Sequence, residues 1–202
     1  MRDQRDDLTI SQRLATWGRA LDHDALPEAA RQKGRDLLVD VAGLCVAARH
    51  TDYMAATFGA IEDGRHTIIG RTVSASAAGA ALANGTAAHG EDFDDTFEGG
   101  PVHSGVVIVP ALLATAESFA LPSHRTMTGI IAGTELLCRL ALTLPKAVHK
   151  AGFHPTAVLG TFGATFGICA AMNEPDDVTA NALGIAGSMA SGIIEYLGDG
   201  SW

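Results

Sequence analysis

The stretch Asn84–His103 carries five carboxylates (Glu91, Asp92, Asp94, Asp95 and Glu98), the imidazoles of His89 and His103, and several glycines, between one run rich in Ala and Gly and a second apolar run. Two kinds of chemistry are open to such a set. His89, Asp92, Asp94, Asp95 and His103 offer the nitrogen and oxygen ligands that a divalent cation takes. The calcium-loop pattern nevertheless fails, because Phe97 stands at its glycine position and His103 at its bidentate glutamate, and no His-Glu-x-x-His pair supports a zinc protease. Acid/base catalysis is the other option. An imidazole such as His103 exchanges protons near neutral pH, and a carboxylate beside it orients the ring and raises its basicity. Asp92 and Thr96, four residues apart, share a face if the segment is helical, and the Gly99-Gly100-Pro101 turn can swing His103 back towards them. On this reading Asp94 and Asp95 are caps or hydrogen-bond partners, and His89 is structural.

The elements around this stretch read as helices. Leu8–Leu21 places Ile10, Leu14, Trp17 and Leu21 on one stripe, and Pro27 to about Arg49 carries Leu37, Leu38, Val41, Leu44 and Cys45 on its apolar side. Asp40 interrupts that side and is expected to bond a helix end or an Arg. Tyr53–Ile61 reads as a short helix and His66–Gly70 as a short extended segment. Ser74 is expected to cap a helix running through Ala83, with Asn84-Gly85 marking its end or a bend. Pro110 suits a first helical turn. A helix from Thr128 to Leu144 pairs Glu135 with Arg139 in the favourable order. Lys146, His149, Lys150 and His154 then lead into Pro155-Thr156, where a helix start beside basic side chains could hold an anion. Gly160, Gly163 and Gly167, followed by Gly184, Gly187 and Gly192, predict a close-packed hairpin of the last two helices.

With 202 residues, 47% of them hydrophobic, the chain can bury a core of its own, and no linker or repeat divides it. One all-α, multi-helix domain over 1–202 is expected, with a flexible charged segment at Met1–Asp7 and a loop-like end at Asp199–Trp202. The net charge of −9 argues against nucleic acid. Cys45, Cys138 and Cys169 lie far apart, as reduced thiols of a cytoplasmic protein would. Ala157–Met172 and Val178–Ile194 carry no charge but fall short of the roughly 20 apolar residues of a membrane span, so buried helices are expected.

Several separated motifs occur in the order found in one family. Asn84-Gly-Thr-Ala-Ala-His-Gly-Glu-Asp-Phe-Asp-Asp-Thr96, His103, Pro110-Ala-Leu-Leu-Ala-Thr-Ala-Glu117, Gly152-Phe-His-Pro-Thr156 and Ala182-Leu-Gly-Ile-Ala-Gly-Ser188 together resemble the MmgE/PrpD family from about Pro27 onwards. That family includes 2-methylcitrate dehydratase, cis-aconitate decarboxylase and iminodisuccinate epimerase. The resemblance implies a helical domain completed by an α+β lid from later sequence, a homodimer, and no metal or organic cofactor. It also implies proton transfer at a carbon next to a carboxylate of a small di- or tricarboxylate. Carried over by position, His103 is the acid/base group, Asp92 its partner, Thr96 a hydroxyl donor to substrate, and His154 a carboxylate binder or second acid. The family's catalytic lysine falls after the Glu195–Ser201 segment, beyond Trp202. The resemblance therefore implies a fragment that lacks the lid, has little activity alone and exposes apolar surface. The competing readings are a non-catalytic helical binding or dimerisation module and a metal-dependent hydrolase.

Overall fold

The computed structural model describes residues 8–195. The segments expected at Met1–Asp7 and Asp199–Trp202 lie outside the described residues. The chain is mainly helical, as the apolar periodicity requires. Helix α1 (Ile10–Arg19) is held at its start by a reciprocal cap, in which the Thr9 and Gln12 side chains each bond the other's backbone. Helix α2 (Glu28–Ala48) follows Pro27, and α3 (Asp52–Phe58) is one short segment further on. A small antiparallel sheet then pairs β1 (Asp63–Thr67) with β2 (Ser74–Ala75). The remaining helices are α4 (Ala77–His89), α5 (Gly105–Phe119), α6 (Ser123–Thr143), α7 (Ala147–Lys150), α8 (Pro155–Met172) and α9 (Asp176–Met189).

Three local expectations are corrected. Ser74 belongs to β2, and the cap of α4 is Ser76, whose hydroxyl accepts from the Gly79 amide. Asn84-Gly85 does not end α4. The buried Asn84 side chain accepts from the Ile69 amide and donates to the Thr67 carbonyl, tying the helix to β1 and the residues after it. Pro110 does not start a helix either, since α5 begins at Gly105 and contains Pro110 buried in its interior. Proline has no N–H to give the carbonyl four residues earlier, which is that of Val106. Gly85 of α4 packs at that carbonyl, where an added Cβ would lie 3.2 Å from the Val106 oxygen.

The glycines of α8 do serve a close crossing, but the partner is α6. An added Cβ at Gly129 would lie 2.6 Å from the Gly167 carbonyl oxygen, and one at Gly133 would lie 2.7 Å from that of Gly163. The α9 glycines take no part: Gly184 has nothing near it, and Gly187 meets only the Phe162 ring. The expected α8–α9 hairpin is thus looser than the α6–α8 crossing. Against the other side of α8, Trp17 of α1 stacks on the fully buried Phe166, with ring centroids 5.4 Å apart. By length and composition Pro155–Met172 could cross a membrane, yet 56% of it is buried within the protein. The aliphatic core beneath the candidate site includes Val41, Val102, Ile108, Val109, Leu112 and Leu137.

This packing separates two kinds of glycine. Gly133→Ala is expected to destabilise the fold by about 1–3 kcal/mol, because the new methyl meets backbone that cannot move aside. Gly184→Ala, in an open helical position, should instead stabilise it by roughly 0.5–1 kcal/mol. Urea unfolding of the two variants checks this, and equal effects would contradict the α6–α8 crossing.

Candidate functional site

The segment between α4 and α5 is a loop, not a helix, so Asp92 and Thr96 do not share a helical face. Its path is set by a turn. The Phe97 amide donates to the Val102 carbonyl at 3.1 Å across Gly99-Gly100-Pro101, and beyond this turn His103 comes back to within 3.8 Å of Asp92. Asp95 then anchors the start of α5. One of its carboxylate oxygens accepts from the Ser104 amide and hydroxyl, and the other accepts from the Gly105 amide at 2.7 Å. These N–H groups have no partner inside the helix, and a negative charge there also suits the helix dipole. The capping role expected of Asp95 is therefore observed.

Asp94 points the other way. It is buried, 7% exposed, and its Oδ2 accepts a hydrogen bond from His89 Nδ1 at 2.9 Å while lying 3.2 Å from His103 Nδ1. The His103 contact is a close charge pair and not an aligned hydrogen bond, so Asp94 Oδ1 and His103 Nδ1 are both buried without a hydrogen-bond partner. On the far side of the His103 ring, Nε2 lies 3.8 Å from Asp92 Oδ1. Asp92 itself has a backbone φ of 54°, a left-handed conformation.

His154 reaches the same place from a distant element. It caps α8, and its amide donates to the Gly192 carbonyl at 2.8 Å, within a bridge pairing Phe153 with Ile193. The His89 ring centroid lies 4.9 Å from that of His103 and 5.8 Å from that of His154. Thr156, in the first turn of α8, accepts from the His103 amide at 3.1 Å and fixes the loop to that helix. His89, His154 and Thr156 line a cavity of about 340 Å³ with Pro110 and Ala111.

Thr96 stands elsewhere. It is exposed and lines two neighbouring cavities, one of about 780 Å³ with Asp40, Asp94 and Asp95, and one of about 540 Å³ with Lys146, His149 and Lys150. Asp40 bonds neither an Arg nor a helix end. Partial burial and the charges of Asp95 and Asp94 raise its carboxyl, and the Asp95 backbone amide bonds it. Among the residues brought together, sequence reasoning undervalued Asp94 and His89.

The electrostatics divide the two candidate imidazoles. Burial alone would raise the Asp94 carboxyl, but His103 and His89 outweigh it and hold it at about 2. His103 is raised above the ordinary histidine value, chiefly by Asp94 and with smaller help from Asp92 and Asp95, against the opposing effect of burial. His154 is lowered, first by burial and then by the neighbouring His89 and His103. Cys45 and Cys138 have thiols pushed up to about 11, mainly by burial, which leaves them unreactive.

A mainly helical scaffold thus directs one buried carboxylate at two histidines, with a third histidine at a helix start. Residues 12–202 match the MmgE/PrpD N-terminal domain, and the chain belongs to this family. It is 26% identical to the cis-aconitate decarboxylase-like protein oryM of Aspergillus oryzae over 207 residues, covering 95% of this chain and 42% of that protein. It is also 26% identical to the cis-aconitate decarboxylase of Aspergillus terreus over 200 residues, covering 92% of this chain and 40% of that protein. The chain thus spans about two fifths of these relatives.

Replacing Asp94 with Asn should lower the His103 pKa, read from the imidazole signals in an NMR pH titration. The sign for stability follows from both partners. The contribution of raised His103 is complete below about pH 6.5 and is lost as pH rises through its folded value; that of depressed Asp94 is complete above about pH 3.8 and is lost as pH falls towards 2. Wild type should therefore exceed Asp94→Asn most between these limits, by roughly 3 kcal/mol, and by less at pH 9. An unchanged His103 titration would refute the pairing.

Proposed function

We propose that this chain supplies the proton-transfer part of a cofactor-free lyase acting on a small tricarboxylate of the cis-aconitate type. The observation that carries the reading is the opposite displacement of two neighbouring imidazoles. One group biased towards its charged form beside one biased towards its neutral form is the arrangement that lets a single site both give and take a proton. Membership of the MmgE/PrpD family and the cis-aconitate decarboxylase activity for which the Aspergillus terreus relative is named support the same reading.

In this mechanism His103 is the general acid, its proton retained by Asp94 and its ring oriented by Asp92. As carbon dioxide leaves and the C–C bonding pair stays on the substrate as a carbanion, His103 delivers that proton to the carbon next to a carboxylate; in isotope exchange it removes a proton from the same carbon and returns it. His154 starts neutral and donates a hydrogen bond to a substrate carboxylate or accepts the proton lost elsewhere. The start of α8 favours the anion through its unpaired N–H groups. Lys146 and Lys150, in the cavity next to Thr96, offset the net charge of −9 locally. Exposed apolar side chains near the site, Phe93 at 79% and Phe153 at 42%, support the view that further sequence of a longer protein covers it.

The test is isotope exchange. The full-length protein is incubated in deuterated water with cis-aconitate, 2-methylcitrate and iminodisuccinate separately, and each is followed by NMR. Deuterium should enter next to a carboxylate of cis-aconitate or its product, and His103→Ala should slow this by about 10²–10⁴-fold, the usual contribution of a general acid. Exchange that proceeds unchanged in His103→Ala would remove His103 from the mechanism.

A further inference from the structure

His89, Asp92, Asp94 and His103 each place one ligand atom so that all four atoms lie within 4.8 Å of one another. Two of their polar atoms also lack a hydrogen bond: Asp94 Oδ1, on a carboxylate that is itself 7% exposed, and His103 Nδ1, whose 3.2 Å contact with Asp94 Oδ2 is a charge pair that is not aligned as a hydrogen bond. We infer that these four side chains form a binding site for a divalent transition-metal ion of the zinc or cobalt class, and that the ion blocks proton transfer by occupying His103 and Asp92.

The donor set selects the ion. Two imidazole nitrogens with two carboxylate oxygens suit Zn²⁺ or Co²⁺, whereas Ca²⁺ and Mg²⁺ take oxygen ligands almost alone. Ligand atoms about 2.1 Å from a tetrahedral ion are separated by roughly 3.4 Å, so the widest separation must contract by up to about 1.4 Å. Asp92 can provide that movement. Its side chain is 59% exposed at the rim, while Asp94 and His103 are held in place by the buried pair. When the ion enters, His103 releases a proton to solvent and binds through the freed ring lone pair, while the His89 Nδ1 proton moves to Nε2 so that Nδ1 can replace its hydrogen bond to Asp94 with a bond to the metal.

Binding stands on the cluster alone, and inhibition rests on the proton-transfer role proposed for His103. The two are therefore read separately. In a Co²⁺ titration of the full-length protein, one ion per chain should produce the visible absorption of tetrahedral cobalt, without the thiolate charge-transfer band that cysteine ligation would give. His89→Ala should weaken binding at least tenfold, as should Asp94→Asn if circular dichroism shows it folded. His149→Ala, outside the cluster, should leave binding unchanged. Identical cobalt spectra and affinity in His89→Ala and wild type would overturn the site. With Zn²⁺, deuterium exchange should stop and should return on adding a chelator. Exchange that persists in the zinc-loaded protein would overturn the inhibition, and exchange that a chelator abolishes would overturn the cofactor-free reading while leaving the metal site standing.

Discussion

The site depends on two adjacent carboxylates with different partners. Asp94 enters the protein to meet His89 and His103, and Asp95 binds the first amides of α5. A carboxylate taken out of water is costly unless its charge is answered; Asp94 is buried and Asp95 half-buried, and both are answered, by two imidazoles and by the first amides of α5. Together they determine where α4 ends, where α5 begins and which way His103 faces. Even Gly105 fits this constraint, because a Cβ there would lie 2.6 Å from Asp95 Oδ1.

The rest of the architecture serves to bring His154 to that loop. Close contact between α6 and α8 at Gly129, Gly133, Gly163 and Gly167 sets the height of α8, and the bridge from Phe153 to Ile193 holds the residue before its start. The bond from the His103 amide to Thr156 then joins loop and helix. One histidine cannot shift far without moving the frame of the other.

Much of this was legible in the sequence, and the gaps have physical causes. Apolar periodicity located the long helices because burial of one face is a local pattern. It failed at Pro110, since the cap that lets α5 begin five residues earlier comes from Asp95, ten residues away from Gly105. Asn84-Gly85 looked like a helix end because the Thr67 and Ile69 backbone groups that engage Asn84 are remote in the chain. Asp94 was undervalued because a helical spacing was applied to the acidic segment. A loop has no such period, and Asp92 and Asp94 meet the His103 ring at its two nitrogens. Family resemblance pointed to Asp92, His103 and His154, but the balance of charge among the imidazoles required coordinates.

Asp92 holds its carboxylate in a backbone region, φ 54°, that glycine adopts without strain and most other residues avoid. Folding and chemistry therefore ask for different residues at this position. Glycine there would relax the loop and leave His103 Nε2 without its nearby carboxylate, so selection for robustness alone would trade that carboxylate for an easier backbone.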